Sequence, residues 1–199
     1  MIGVAPNPFL ATVGLRVEPA PPGSGMRFAL GVELGSMPPA FFKAVEETVP
    51  VVLREGLRGW QVIDLTVTMT RSGYWARQSH AHGTFDKSMS STAGDFRNLT
   101  ALVLRAALRR AGTVVHEPIH RFVLDLPADT LGAVLPVLAS VRAVPLVTTA
   151  AAVEGDIPAA RVHELRQALP ALTRGEGVLE TSFDRYEPVR GVAPVRARP

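Results

Sequence analysis

No cysteine occurs among the 199 residues, which excludes disulfides, cysteine-liganded zinc and thiol catalysis and fits a reducing cytosol. The phosphate-cradling sequence G-x-x-x-x-G-K-[ST] is also missing, so the chain has no nucleotide loop of its own. Long apolar runs are lacking too. The longest, Val144 to Val153, falls far short of the roughly 20 residues that a membrane helix needs. Pro6 and Pro8 interrupt the start, which argues against a secretory signal. A soluble, cytoplasmic protein without a membrane partner is therefore expected. Acids are scarce: 18 Asp and Glu stand against 21 Lys and Arg, and the sequence pI is about 9.9, which suits an anionic partner without amounting to a nucleic-acid signature. What is present in quantity is apolar surface. At 47% hydrophobic residues the chain can bury one sizeable core or two small ones, and two domains of about 100 and 70 residues would fit.

Patterning along the chain predicts alternating elements. Val13, Leu15 and Val17 repeat at the strand period, and Phe28, Leu30, Val32 and Leu34 do so after a PPGSG turn, predicting an antiparallel pair. From Ala40 the period becomes helical through Phe41, Val45, Val49 and Leu53, opened by Pro38 and Pro39, with Pro50 expected to kink or end the helix. The β-branched run from Trp60 to Thr70 predicts a strand. Residues 71–94 have no sustained period and a basic excess, and a loop this long inside a compact domain is usually functional or disordered. Asp95 then opens a helix whose stripe runs through Phe96, Leu99, Leu102 and Val103, closed by Gly112.

After Glu117-Pro118 the pattern restarts as strand 119–126, helix 128–140, strands near 144–150 and 153–157, helix 159–169 with Pro170 just beyond it, and strand 177–186. That order, β-α-β-β-α-β, is ferredoxin-like. Residues 1–8 and the Pro/Arg segment 190–199 lack periodicity, and both ends are expected to fray.

One run imitates a catalytic signature: His116-Glu117-Pro118-Ile119-His120 spells H-E-x-x-H, which in zinc proteases sets two imidazoles one helical turn apart. Pro118 disfavours a helix there, and the following residues alternate as a strand, so no zinc site is expected. His80 and His82 lack a carboxylate or cysteine cluster to complete a metal site and are read as solvated loop histidines. Tyr74 and Trp75, beside Arg71 and Arg77, form a small aromatic and basic set. Such a set can stack on unpaired bases and neutralise phosphates, or the rings can pack on their own domain.

Five separated stretches carry a resemblance: NPFLATVGLRVEPAPPGSG, VELGS before a helix, GLRGWQVIDLTVTMTRSGY, STAGDFRNLTALVLRAALRRAGT and EPIHRF. Together they resemble the tetracycline-resistance ribosomal protection proteins, relatives of elongation factor G, from about Asn7 to Val189. The resemblance implies an α+β chain of two domains: 7–117 similar to domain IV, a split β-α-β fold of the ribosomal protein S5 domain 2 type, and 118–189 similar to the ferredoxin-like domain V. It also implies a C-terminal fragment without the family's GTPase domain, to which GTP and magnesium would belong. This chain would then be no enzyme and hold no cofactor.

In that family, tip loops of domain IV approach the drug site on small-subunit rRNA. The resemblance carries this role onto Ser91 and Thr92 of SSTAGDFR, with Ser90 before them, Tyr74, Trp75 and Arg77 at the loop entrance, and Ser36 and Met37 in a neighbouring loop. Two departures stand out. Met89 and Ser90 occupy the place of a proline usual before the Ser-Thr pair, and the sequence stops at Pro199, short of the family's helical extension. The expected partner is the ribosome, met through small-subunit rRNA at the A site, with no DNA, and the chain is expected to be a monomer. A truncated remnant without ribosomal activity is the rival expectation.

Overall fold

The computed structural model describes residue 2 and residues 6–76 and 90–196. They form two compact units, one of residues 1–113 with 194–199 and the other of residues 114–193.

In the first unit, β1 (Ala11–Pro19), β2 (Met26–Leu30), α1 (Pro39–Leu53), β3 (Leu65–Tyr74) and α2 (Ala93–Ala111) follow in order. The sheet runs β1-β3-β2, with β3 antiparallel to β1 and parallel to β2. The expected β1–β2 hairpin is therefore not formed: β3, arriving after the α1 crossover, inserts between them and takes the hydrogen bonds of both. One sheet face packs under the helices through Val67, Met69, Val45, Val49, Phe96 and Leu104.

The strand expected from Trp60 begins only at Leu65. Asp64 takes a positive φ of 58° and uses its backbone carbonyl and its carboxylate to accept the N–H groups of Ala20 and Gly25, at 2.8 Å each, so the chain turns there before it can extend. α1 continues through Pro50 to Leu53. The carbonyl that Pro50 leaves unbonded belongs to Glu46, an exposed residue, so water can replace the lost partner.

The second unit contains β4 (His116–Asp125), α3 (Leu131–Ser140), β5 (Val144–Thr148), β6 (Ala152–Pro158), α4 (Ala159–Leu172) and β7 (Val178–Pro188). Its sheet order, β5-β6-β4-β7, with every pair antiparallel, is the ferredoxin-like arrangement. Phe122, Leu124, Val134, Leu138, Ile157 and Leu165 build its core. β4 starts at His116 rather than at 119: Pro118 pairs with β7 alone, because β6 joins only at Ile119, so its missing donor interrupts no bond on that side. α4 also outruns its expected end at residue 169. Pro170 and Arg166, whose carbonyl it leaves free, both face solvent, and the apolar positions continue to Leu172.

The C-terminal segment, expected to fray, is tied down at residues 194–196. The Arg196 N–H donates to the Arg58 carbonyl at 2.9 Å, the Trp60 indole N–H donates to the Pro194 carbonyl at 2.9 Å, and the Arg196 guanidinium lies 5.7 Å from the Trp60 ring centre. Gly59 allows the approach, since a Cβ there would stand 2.4 Å from the Arg196 carbonyl oxygen. Trp60→Phe, which removes the indole donor and weakens the ring's contact with Arg196, should cost about 1–2 kcal/mol, roughly one net hydrogen bond plus part of a cation–π contact. Thermal melting of the first unit checks this, and an unchanged midpoint would show the strap to be energetically idle.

Candidate nucleic-acid interface

The residues singled out in the sequence gather at one end of the first unit, where β3 ends, α2 begins and the segment Asn7–Leu10 leads into β1. α2 opens with a capping box: Thr92 Oγ1 accepts from the Asp95 N–H at 3.3 Å, and Asp95 Oδ2 accepts from the Thr92 N–H at 2.8 Å and from the Thr92 hydroxyl at 2.7 Å. The other carboxylate oxygen, Oδ1, accepts from the Leu10 N–H at 3.2 Å. Burial pushes the Asp95 carboxyl up, but the hydrogen bonds from the Thr92 side chain and from the backbone N–H groups of Thr92, Leu10 and Asp95 outweigh it, and its pKa lies below the usual carboxylate value.

Ser91 closes the same end. Its Oγ accepts from the Trp75 N–H at 2.8 Å and donates to the Leu10 carbonyl, while its own N–H donates to the Trp75 carbonyl at 3.1 Å. Residues 75 and 91 are thus joined by a three-bond clamp that includes Leu10, and every bond in it comes from the backbone or from short, stiff side chains. Of the residues read as tip residues, Ser91 has its hydroxyl committed to this clamp and Thr92 has its own committed to the capping box with Asp95. Ser90 is half-buried beside it. Arg77, together with His80, His82 and Met89, lies outside the described residues.

The two aromatic residues are displayed differently. Trp75 is 45% exposed, held by its backbone through Ser91, with its ring free of any stacking partner among the described residues. Tyr74 is 36% exposed and leans on Phe41, ring centres 5.8 Å apart at 60°, and Phe41 in turn stacks on buried Phe96 at 4.5 Å. Tyr74 is thus the outer member of a three-ring column rooted in the core.

In the neighbouring loop Ser36 is exposed, with its Oγ 2.8 Å from that of Ser72 on β3. Met37 corrects the expectation. It is only 3% exposed and belongs to the core cluster with Ala11, Val13 and Phe42, because an unbranched apolar side chain just before α1 fills the space under the sheet. Leu34, read from the sequence as a strand residue, lies beyond the end of β2 in the 3-10 turn Leu34–Ser36 and is exposed. The Leu10 backbone was missed in the sequence; only the T-x-x-D spacing from Thr92 to Asp95 hinted at the cap that reaches it.

The H-E-x-x-H run lies in β4, where His116 pairs with Pro188 and His120 with Phe183. An extended chain puts residues four apart about 13 Å from each other. Among the described residues no group of three His, Asp or Glu is placed to hold a metal, and no helix is long and apolar enough to cross a membrane.

The first unit is thus a split β-α-β arrangement and the second, next along the chain, is ferredoxin-like. The family model "Elongation factor G, domain IV" matches residues 3–112, and "Elongation factor G C-terminus" matches residues 114–196. The chain belongs to the elongation factor G family. It is 51% identical over 174 residues to the tetracycline resistance protein TetM of Streptomyces lividans, covering 85% of this chain and 25% of that protein. It is 47% identical to the oxytetracycline resistance protein of Streptomyces rimosus, covering 89% and 26%. Against the tetracycline resistance protein TetO of Campylobacter jejuni it is 34% identical, covering 96% and 28%. A crystal structure of a Thermus thermophilus protein aligns with a TM-score of 0.65 at 26% identity, over 89% of this chain and 26% of that one. The chain thus spans about a quarter of the length of the relatives it matches.

Proposed function

We propose that this chain is the ribosome-binding, rRNA-contacting module of a tetracycline-resistance ribosomal protection factor, whose arm reaches the ribosomal A site and helps to release the drug. The observation that carries the proposal is the clamp of Ser91, Trp75 and Leu10, joined at Leu10 by the Asp95 capping box, while the Trp75 and Tyr74 side chains stand exposed beside it. Exposed rings on a rigid base are suited to stacking on unpaired bases. In this reading the chain acts in the cytoplasm as a monomer, binds neither DNA nor membrane, and is not itself an enzyme. GTP and magnesium act in a separate GTPase domain of a longer factor, and the first unit serves as domain IV with the second as domain V.

The test is co-sedimentation of the 199-residue chain with small subunits and whole ribosomes, with and without tetracycline, at two salt concentrations. Saturable binding that weakens about tenfold or more in a Tyr74→Ala, Trp75→Ala double variant is expected, since base stacking contributes roughly 1–3 kcal/mol per base. No saturable binding at any salt would leave a folded family fragment without ribosomal activity of its own.

A further inference from the structure

The first unit's sheet has a second face, turned away from α1 and α2. The row Phe28–Val67–Val17 points into the core, so the alternate rows, Arg27–Thr66–Glu18 and Ala29–Thr68–Arg16, point out. Beyond the bulge between Gly14 and Leu15, the Val13–Ser72 row faces the core, which places Arg71 opposite Gly14 and Thr12 opposite Gly73 on the outer face. The side chains between the arginines are small, and Thr68 among them is only 8% exposed. Gly14 makes room for Arg71: a Cβ at Gly14 would lie 2.9 Å from the Arg71 Cβ and 3.1 Å from the Thr70 hydroxyl.

Among the described residues, charge on this face is one-sided: Glu18 is its acid, and it is neutralised by Arg16 at 3.0 Å. Arg27 and Arg71 are exposed, and among the described residues neither has an ion-pair partner, so within that set two guanidinium groups stand uncompensated among threonine hydroxyls. Large apolar side chains, which a protein partner would be expected to bury at the centre of an interface, do not occur on these rows.

We infer that this open sheet face is a second RNA contact, at which Arg27 and Arg71 bind backbone phosphates and the Thr66 and Thr70 hydroxyls donate to phosphate or sugar oxygens. The chemistry is positional: guanidinium groups and hydroxyls on a sheet surface recognise the sugar-phosphate backbone and carry no base specificity. It rests on the rRNA-contacting reading above and adds to it a surface distinct from the aromatic tip. The tip would supply stacking, and the face would supply the salt-sensitive part of the affinity.

The experiment measures binding of the full chain, over a series of salt concentrations, to small ribosomal subunits and to a plain RNA duplex of about 20 base pairs. Wild type is compared with Arg27→Gln/Arg71→Gln and with Arg105→Gln/Arg109→Gln, which removes the same charge from α2. For the sheet-face pair the slope of log affinity against log salt should shrink by about 1.5, at roughly 0.7–0.9 per phosphate contact, on both RNAs. The α2 pair should shift it by less than about 0.5. Arg27→Lys/Arg71→Lys keeps the charge and should restore most of the slope, which separates lost contacts from lost folding.

An unchanged slope in the sheet-face pair, or an equal loss in the α2 pair, overturns the inference. If subunit binding depends on Tyr74 and Trp75 but not on Arg27 and Arg71, the face is refuted and the functional reading stands. If wild type binds the duplex through the face yet never saturates on subunits, the functional reading fails and the face stands.

Discussion

Phe96→Ala should unfold the first unit at temperatures where the second is intact. Phe96 is fully buried, lies under Phe41 in a stacked pair, and packs in the same cluster as Val13, Phe42, Val45 and Met69. Truncating such a ring removes its transfer free energy and leaves a cavity that neighbours on two helices and a sheet cannot fill, at a cost of about 3–5 kcal/mol. At roughly 4–8 °C per kcal/mol for a unit of this size, the midpoint should fall by more than about 10 °C. Calorimetry resolving two transitions provides the check: the first-unit transition should move and the second should not. A shift below about 1 kcal/mol would mean that the ring column is not the anchor of Tyr74. The functional consequence follows from geometry, because Phe41 rests on Phe96 and Tyr74 on Phe41, so the tip ring loses its seat when the core ring is removed.

Asp95→Asn is expected to cost about 1–2 kcal/mol, the range for losing a helix cap, and to remove a pH dependence with a definite sign. The folded-state carboxyl titrates below its ordinary value, so the anion is favoured by folding. Its contribution is therefore fully present above the unfolded-state pKa near about 4 and is lost as pH falls through the lower folded-state value. Wild type and variant should differ most at about pH 6–7, and their unfolding free energies should converge as pH is lowered from about 5 toward 3. A constant gap across that range would sink the argument, since it would assign the loss to packing rather than to the charge. Because Asp95 also holds the Leu10 N–H, hydrogen exchange at Leu10 should accelerate along with that of the first turn of α2.

The local grammar of this chain is written in its sequence. Pro38 and Pro39 open α1, Thr92 and Asp95 set the start of α2, Gly112 at φ 82° ends it, and apolar periods of 2 and 3.6 assign the strands and helices of both units. The ferredoxin-like order of the second unit was legible as well, because its element sequence admits few compact arrangements. These features depend on residues within a turn or two of one another, where sterics and capping decide the outcome.

What the tertiary structure decided are partnerships between residues distant along the chain. Nothing in residues 11–34 reveals that β3 separates β1 from β2, since both strands are satisfied by a neighbour brought back over α1. Met37 reads as a loop residue until the sheet above it needs filling, and the prolines of α1 and α4 read as breaks until the residues whose carbonyls they orphan, Glu46 and Arg166, prove to lie on exposed helix faces. Trp60 recruits the C-terminal segment across 134 positions, and Ser91 reaches Leu10 across 81. Residue type alone marks the candidate tip, but its described geometry comes from long-range hydrogen bonds and a three-ring column, because only the folded chain brings segments so far apart within about 3 Å of each other.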